Sequence, residues 1–261
     1  MSSDLKIRAS AYSTDVGRYR TRNEDRVYLG SHVYAVADGM GGQRSGDQAA
    51  DLLVGELTNA DSRISGSSTR ADIELHICSA VRDAAGLISD MVDAGLQQDT
   101  ETRVARTPGG AGTTVAGIVM GELPIAFHVG DSRVYRYRPD SSELVRITRD
   151  HSIVQELVDC GELTAEEAHT HPRRNVITRA IGTYGDPLVE FTSLDIRDSD
   201  VVMICSDGLS DELMDEQIAT IMEDTYDDGV QAMAYALRDV ALSAGGHDNI
   251  TIIAVEIGES S

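Results

Sequence analysis

Four aspartates in this sequence have the type and placement that metal-dependent chemistry requires. Each lies at one end of a short apolar run, and the four are Asp38, Asp131, Asp207 and Asp248. Asp248 precedes its run, whereas Asp38 and Asp207 follow theirs. If these runs are antiparallel strands, the ends that carry the acids meet at one edge. The pattern therefore predicts a cluster of carboxylates drawn from distant parts of the chain.

Carboxylates gathered in this way repel one another and lose solvation unless cations neutralise them. A site of oxygen donors without cysteine or histidine favours Mg²⁺, Mn²⁺ or Ca²⁺ over zinc. Glycines follow Asp38 and Asp207, and they let the backbone approach closely and leave a carbonyl free as a ligand. For Asp38 or Asp207 taken alone, a simple Asp-Gly turn is the favoured alternative, and Asp248 with Asn249 taken alone indicates only a loop.

The elements that would position these acids follow from the pattern of apolar residues. Short β-branched runs predict strands at residues 33–37, 113–120, 125–129, 134–137, 201–205 and 250–257. The short connections 121–124 and 139–143 favour antiparallel pairing. Helical spacing and capping residues predict helices over 47–57, 71–95, 152–161, 164–168 and 230–242.

Strands and helices are partly segregated along the chain rather than strictly alternating. This arrangement favours an α+β fold with antiparallel sheets, and no Gly-x-Gly-x-x-Gly or Walker A pattern indicates a nucleotide fold. We expect a single domain over residues 1–261, with two domains as the fallback. Residues 62–69 and 97–113 are predicted loops. The polar stretch 151–187 is predicted to form a flap inserted beside the core.

Composition narrows the functional classes. The 261 residues carry a net charge of −22 with a pI of about 4.5, which argues against nucleic-acid binding and against adhesion to anionic membranes. Three cysteines without a CxxC pair argue against a disulfide framework and fit a reducing cytoplasm. We expect no membrane segment in this sequence. The alternative that this chain is a domain of a longer membrane protein stays open.

Eight motifs, in order along nearly the whole chain, carry a resemblance to a known family. They lie at residues 20–26 (RTRNEDR), 36–42 (VADGMGG), 110–115 (GAGTTV), 128–135 (HVGDSRVY), 148–152 (TRDHS), 171–182 (HPRRNVITRAIG), 205–209 (CSDGL) and 245–255 (GGHDNITIIAV). The sequence resembles the metal-dependent protein Ser/Thr phosphatases of type 2C, the PPM family, in their bacterial form. The resemblance implies a β-sandwich of two antiparallel sheets flanked by α-helices, with a flap near the site.

The same resemblance assigns expected roles. It implies two Mg²⁺ or Mn²⁺ ions, with a possible third, held by Glu24, Asp38, Gly39, Asp131, Asp207 and Asp248. Asp38 would bridge the two ions, the Gly39 carbonyl would bind one of them, and Glu24 would act through metal-bound water. Asp131 would support the third ion, with Asn175 as a tentative further contact. Arg20 would bind the substrate phosphate, with Arg22 and Arg44 as alternatives.

Met40 stands where many eukaryotic relatives have a histidine that is the proposed general acid. A methionine donates no proton, so the leaving group would take its proton from a metal-bound water or from another histidine. His128, His151 and His247 are the candidates, and a structural role is favoured for each of them. His169 and His171 are interpreted as part of the flap rather than as metal ligands.

The resemblance implies a metal-dependent phosphatase that hydrolyses phospho-Ser and phospho-Thr and reverses Ser/Thr kinase signalling. Its expected partners are phosphorylated proteins, among them Ser/Thr kinases, and we expect a cytoplasmic monomer that binds neither nucleic acid nor membrane. Two alternatives stay open: a sensor domain of the same fold with little turnover, and a phosphatase dedicated to one regulator such as an anti-sigma-factor antagonist.

Overall fold

Two antiparallel sheets form the centre of the molecule in a computed structural model that describes residues 5–41, 45–98, 110–183 and 185–259. The first sheet has five strands, in the order β1 (Leu5–Asp15), β11 (Ile250–Glu259), β10 (Val201–Cys205), β7 (Arg133–Arg138) and β8 (Glu143–Arg146). The second has the order β2 (Asp25–Leu29), β3 (Val33–Met40), β5 (Val115–Val119), β6 (Ile125–Val129) and β9 (Glu190–Ser193), with β4 (Gly112–Thr113) also paired to β3. Each recorded pairing is antiparallel, as predicted.

Helices cover the outer faces of both sheets. They are α1 (Gly46–Asp61), α2 (Arg70–Gln98), α3 (Ile153–Asp159), α4 (Ala165–His169), α5 (Asp207–Ser210), α6 (Asp215–Thr225) and α7 (Val230–Ala244), with a 3-10 turn at Tyr226–Asp228. Helices α1 and α2 pack on the second sheet, and α6 and α7 pack on the first. The predicted sandwich of two antiparallel sheets flanked by helices is therefore confirmed.

Three apolar layers follow from this arrangement. The layer between the sheets contains Val36, Ile118, Val134, Ile204 and Val255, each with no exposed surface. Central strands such as β10 are buried on both faces, so they appear in the sequence as unbroken apolar runs rather than as an alternation. That is why the runs that end beside the aspartates were recognisable as strands.

Several boundaries differ from those predicted. Strand β3 continues through Met40, so Asp38 lies inside the strand rather than after it. The predicted strand 113–120 is divided at Thr114 into β4 and β5. Strands β1, β2, β8 and β9 and helices α5 and α6 were not predicted. Strand β1 alternates partly buried and exposed residues over much of its length and carries polar side chains, so it lacks a continuous apolar run.

Residues 151–187, the predicted flap, contain α3 and α4 joined by turns in their described part. Ser152 begins α3, and its hydroxyl accepts a hydrogen bond from the Gln155 N–H. Thr164 and Glu167 form the predicted capping box of α4. Isolated bridges connect Ile177 to Ser152 and Ile181 to Thr113, so the C-terminal part of this stretch is attached to the sandwich.

The turn between β2 and β3 depends on one buried carboxylate at the end of α1. Asp61 accepts hydrogen bonds of 2.8 Å from the backbone N–H groups of Ser31, His32 and Val33. Its side chain also accepts a bond of 3.2 Å from the Tyr28 hydroxyl, and the residue is 7% exposed. Asp61 therefore joins α1 to the hairpin that carries Asp38.

We predict that Asp61→Ala lowers the free energy of unfolding by about 3 kcal/mol, because three buried backbone donors lose their acceptor. Denaturation in urea, followed by circular dichroism, measures this change. The control is Asp239→Ala, which removes an exposed ion pair with Arg238 and should cost about 1 kcal/mol or less. Equal stability losses in the two variants would contradict the proposed role of Asp61.

Candidate metal centre

The predicted acidic residues come together where the ends of both sheets meet. Asp38 lies on β3, Asp207 begins α5 directly after β10, and Asp248 lies just before β11. Asp131 lies in the turn between β6 and β7. The charges of Asp207, Asp131 and Asp248 all act on the Asp38 carboxyl group and raise its pKa. The structure thus gathers the four aspartates that the sequence singled out.

Strand pairing explains why Asp207 and Asp248 are neighbours. Strands β10 and β11 are antiparallel, with Cys205 opposite Ile252, so β10 ends where β11 begins. Ser206 continues this pairing, because its N–H donates to the Thr251 carbonyl at 3.0 Å and its hydroxyl accepts from the Thr251 N–H at 3.0 Å. Residues that flank these two strand ends are therefore held side by side.

Burial and mutual repulsion raise the pKa values of several carboxyl groups in the cluster. Burial, followed by the Asp25 carboxylate and then the other acids, holds the pKa of Asp38 well above its ordinary value. Burial and the Asp131 and Asp211 carboxylates do the same for the pKa of Asp207. Burial raises the pKa of Asp131 to about 7. Protonation is the response of such groups when no cation is present.

One unsatisfied atom indicates where a cation would be held. Asp207 Oδ1 is buried and has no hydrogen-bond partner within the described ranges. A buried carboxylate oxygen without a partner is costly, and a divalent cation supplies the missing interaction. The gathered donors are carboxylate and backbone oxygens, which fits Mg²⁺ or Mn²⁺.

Asp25 is a member of the cluster that the sequence analysis did not identify. It lies directly opposite Asp38 in the pairing of β2 with β3, is 4% exposed, and accepts a hydrogen bond of 2.8 Å from the Ser206 hydroxyl. Burial raises its pKa to about 7. The available signal was its place beside Glu24 in the NED triplet, but its register with Asp38 depends on a strand that was not predicted.

Asp211 is a second acid that the sequence analysis missed. It follows α5, four residues after Asp207, and burial raises its pKa. Its carboxylate acts on both Asp131 and Asp207, and Arg174 from the predicted flap lies 3.7 Å from it. The spacing of four residues was a usable signal, because residues i and i+4 share one side of a helical turn.

Close backbone packing explains the glycine at position 39. A Cβ atom there would lie 2.1 Å from the Gly46 carbonyl oxygen and 2.8 Å from the Glu24 carbonyl oxygen. Gly208, after Asp207, is equally constrained, since its Cβ would lie 2.0 Å from the Asn249 carbonyl oxygen. Both glycines allow neighbouring segments to reach the acids, as the sequence predicted.

Arg20 lies at the edge of the cluster. Its Nη2 donates to Asp248 Oδ2 at 2.5 Å, while about half of its side chain stays exposed. Nearby, burial followed by the charge of Asp47 raises the pKa of Glu24. Arg20 is therefore held against a cluster acid and still presents donors to solvent. Arg44, one alternative for phosphate contact, lies outside the described residues.

Asn249 fastens the segment that carries Arg20 and Glu24. Its Oδ1 accepts from the Glu24 N–H at 2.8 Å, and its Nδ2 donates to the carbonyls of Val16 and Arg22 at 2.9 and 2.8 Å. The residue is 5% exposed. One amide next to Asp248 therefore positions residues 16–24 against the cluster.

The histidines occupy different environments. His128 and His151 are buried and stack with ring centroids 4.5 Å apart. His128 Nε2 lies 2.8 Å from the Arg149 carbonyl, and His151 Nδ1 accepts from the Gly130 N–H at 3.0 Å. These contacts favour structural roles for both rings. His247 is exposed, stacks on Tyr19, and has its Nδ1 2.7 Å from Glu212 Oε1.

A second group of possible ligands comprises His128, His151 and Glu190, whose ligand atoms lie within 4.8 Å of one another. The two imidazole planes differ by only 18°, whereas a shared ion must lie in the plane of each ring. Arg179 Nη1 also lies 3.3 Å from His151 Nε2 and 2.7 Å from Glu190 Oε1. In this geometry, the group forms a hydrogen-bonded network.

The histidines and the asparagine expected in the flap lie in its described part. His169, His171 and Asn175 are found in or beside the short turns of residues 151–187.

We predict that Asp131→Asn stabilises the metal-free protein by about 2 kcal/mol at pH 8 and by much less at pH 5. The pKa of Asp131 rises from 3.8 to about 7 on folding, so its unfavourable contribution grows as pH rises through this interval. At pH 5 only the lower part of this interval has been passed, so the unfavourable contribution is smaller than at pH 8, where the whole interval has been passed.

Urea denaturation in the presence of a chelator, at both pH values, measures the difference. Asp239→Asn on the exposed side of α7 is the matched control, with no expected pH-dependent gain. A gain for Asp131→Asn that is equal at pH 5 and pH 8 would contradict the electrostatic account of the cluster.

Comparisons with known proteins agree with this geometry. The sequence pattern of the family described as protein phosphatase 2C matches residues 19–244. The serine/threonine protein phosphatase PstP of Mycobacterium tuberculosis is 37% identical over 255 residues, which cover 97% of this chain and 45% of PstP. The chain thus spans about half the length of that relative. The serine/threonine phosphatase stp of Listeria monocytogenes is 32% identical over 251 residues, with 94% of each chain covered.

Solved structures show the same similarity. The crystal structure of the Mycobacterium tuberculosis phosphatase PstP/Ppp has a TM-score of 0.80 at 34% identity, covering 98% of this chain and 99% of that one. The catalytic domain of PstP in complex with two manganese ions has a TM-score of 0.78 at 33% identity, with coverage of 98% and 100%. From the matched pattern, the relatives and the shared fold, this chain belongs to the protein phosphatase 2C family.

Proposed function

We propose that this chain hydrolyses phosphoserine and phosphothreonine in proteins, using two Mg²⁺ or Mn²⁺ ions held by the acidic cluster. The observation that carries the proposal is the convergence of buried carboxylates beside a half-exposed arginine, with unsatisfied oxygens on Asp25 and Asp207. The manganese ions in the related PstP structure support the choice of cation.

Each cluster residue has a proposed role. Asp38 would contact both ions, with the Gly39 carbonyl on one of them and Asp207 and Asp248 on the other. Glu24 would act through bound solvent, and Asp131 would hold a third ion together with Asp211. Bound divalent cations lower the pKa of water and so supply hydroxide as the nucleophile at neutral pH.

Arg20 is the proposed contact for the substrate phosphate. A guanidinium stays protonated and can donate to two phosphate oxygens at once, which suits the charge on the non-bridging oxygens during attack. Its bond to Asp248 holds the side chain beside the cluster before substrate arrives. The exposed half of the side chain leaves donors available to the phosphate.

Asp25 is proposed as a support for Asp38. The Ser206 hydroxyl donates to its Oδ2 at 2.8 Å. Asp25 pairs directly with Asp38, so the two side chains lie next to each other on one face of the sheet. Met40 donates no proton, so bound solvent is the proposed source of the leaving-group proton. The contacts of His128 and His151 with Arg149 and Gly130 favour this choice over either of those rings.

The proposal extends to organisation and partners. Residues 1–261 are proposed to act as one catalytic domain, with residues 151–187 as a flap beside the site. Phosphorylated proteins, among them Ser/Thr kinases, are the proposed partners of a cytoplasmic monomer. No helix within the described ranges is long and apolar enough to span a membrane. The sensor alternative is less well supported, because the sequence contains every acid that the resemblance implies for the site.

We predict that chelation and Asp207→Ala each reduce hydrolysis of an aryl phosphate at least about a thousandfold, since both remove the source of hydroxide. Manganese titration with a colorimetric assay measures the activity. In calorimetry, the variant should also bind fewer Mn²⁺ ions than the wild type. Wild-type activity that survives chelation would contradict the metal mechanism, and metal binding without turnover would favour the sensor.

We predict that Arg20→Ala lowers kcat/KM for phosphopeptides about a hundredfold, because one preorganised donor to the phosphate is lost. Steady-state kinetics measures this effect, and calorimetry should show unchanged Mn²⁺ stoichiometry. Arg63→Ala, an exposed arginine at the end of α1, is the control and should leave kcat/KM unchanged. Similar values of kcat/KM for both variants would contradict the proposed contact between Arg20 and the substrate phosphate.

A further inference from the structure

A groove of about 420 Å³ is lined by nine described residues, of which five are apolar. Its apolar lining comprises Met40, Ile177, Ala180, Pro187 and Leu188, and we refer to it as the Leu188 groove. Thr178, Arg179, Thr183 and Asp186 complete the lining. None of these residues belongs to the proposed metal or phosphate contacts.

The groove begins at the catalytic end of β3. Met40 is two residues beyond Asp38 on this strand and forms one end of the groove. Its terminal methyl lies 3.4 Å from the place that a Cβ on Gly112 would occupy, so the side chain packs over β4. A peptide whose phosphoryl group reaches the acidic cluster therefore passes close to the mouth of the groove.

The wall of the groove is anchored to the strand that carries Asp38. Ile181 is fully buried and exchanges two backbone hydrogen bonds with Thr113, of 3.0 and 2.9 Å. The Thr113 hydroxyl in turn donates to the Asp38 carbonyl at 2.9 Å. Farther along the wall, the Thr178 N–H donates to the His151 carbonyl at 2.7 Å. The part of the wall that residues 178–181 form therefore has a defined position relative to Asp38.

The groove presents apolar surface to solvent in an acidic protein. Leu188 is 66% exposed, and the neighbouring Val176 is 40% exposed. Arg179, the cation of the lining, is already paired with Glu190 at 2.7 Å. A surface with exposed aliphatic groups and a neutralised cation favours an apolar ligand over an acidic one.

We propose that the Leu188 groove binds an apolar side chain of the phosphopeptide substrate, close in sequence to the phosphorylated residue. This inference rests on the proposed phosphatase function and adds a substrate class to it. The phosphate would be recognised by Arg20 and the metal cluster, and the flanking apolar residue by the groove. An extended peptide advances about 3.3 Å per residue, so the contacted residue lies within a few positions of the phosphorylated one.

The test compares matched peptides on the wild-type enzyme loaded with Mn²⁺. A panel of phosphothreonine peptides carries one leucine at successive flanking positions, and a reference peptide carries only glycine and serine there. We expect one or two leucine positions to raise kcat/KM about tenfold over the reference, mainly through KM. An aryl phosphate, which lacks flanking residues, reports the chemical step alone.

The test variant is Leu188→Asp, and Leu123→Asp is its matched control. Leu123 is 61% exposed in the turn between β5 and β6, so the two substitutions are alike in chemistry and exposure. Leu188→Asp should abolish the preference for leucine peptides and leave the reference peptide and the aryl phosphate unchanged. Leu123→Asp should retain the full preference.

The outcomes separate this inference from the proposed function. Equal rates for leucine and reference peptides in the wild type, or equal effects of the two variants, would overturn the groove assignment. A further outcome is that Leu188→Asp changes the sedimentation coefficient and leaves the peptide kinetics unchanged. That result would assign the groove to self-association and overturn its assignment to peptide binding. Failure of the wild type to hydrolyse any phosphopeptide or aryl phosphate would instead count against the phosphatase function.

Discussion

Repulsion among buried carboxylates is the constraint on which this structure depends. Burial is the largest cause of the raised pKa values of Asp38, Asp207 and Asp131. The charges of Asp207 and Asp131 raise the pKa of Asp38 further, and the charge of Asp131 raises that of Asp207. Such an arrangement is unfavourable in isolation, so the sandwich must stabilise it through its three apolar layers. The fold thus keeps its acids in an arrangement that bound divalent cations would relieve. At the proposed metal site, stability of the metal-free protein is therefore opposed to affinity for metal.

The sequence was informative wherever a strand is buried on both faces. Residues 125–129 and 201–205 were predicted with the bounds that the structure has, and the acids next to such runs were correctly expected to meet. Strand β1 alternates partly buried and exposed residues over much of its length and β2 is short, so neither produced an apolar run. Asp25 was missed for that reason, because only the register of β2 on β3 reveals its position opposite Asp38. The resemblance to a family supplied roles that spacing alone left open.

In the proposed site, different structural elements carry the residues that would bind the metal ions, the substrate phosphate and the flanking peptide. Sheet ends position the acids, and the segment before β2 positions Arg20. The Leu188 groove belongs to a third element, which reaches the same strand through Thr113 and Ile181. Because these elements come from different parts of the chain, a change in peptide preference does not require a change in the metal ligands. This independence is consistent with one fold serving many phosphorylated substrates.

The amide of Asn249 has a wider consequence. It is the only side chain next to Asp248 that holds residues 16, 22 and 24 together within the described part of the chain. The Asn249 amide both accepts and donates hydrogen bonds. An aspartate of the same shape could not replace it, because an ionised carboxylate only accepts hydrogen bonds. Replacement of this amide by a carboxylate would therefore release the Val16 and Arg22 carbonyls while leaving the proposed metal ligands unchanged. A single amide thus links the position of the Arg20 segment to the acidic cluster.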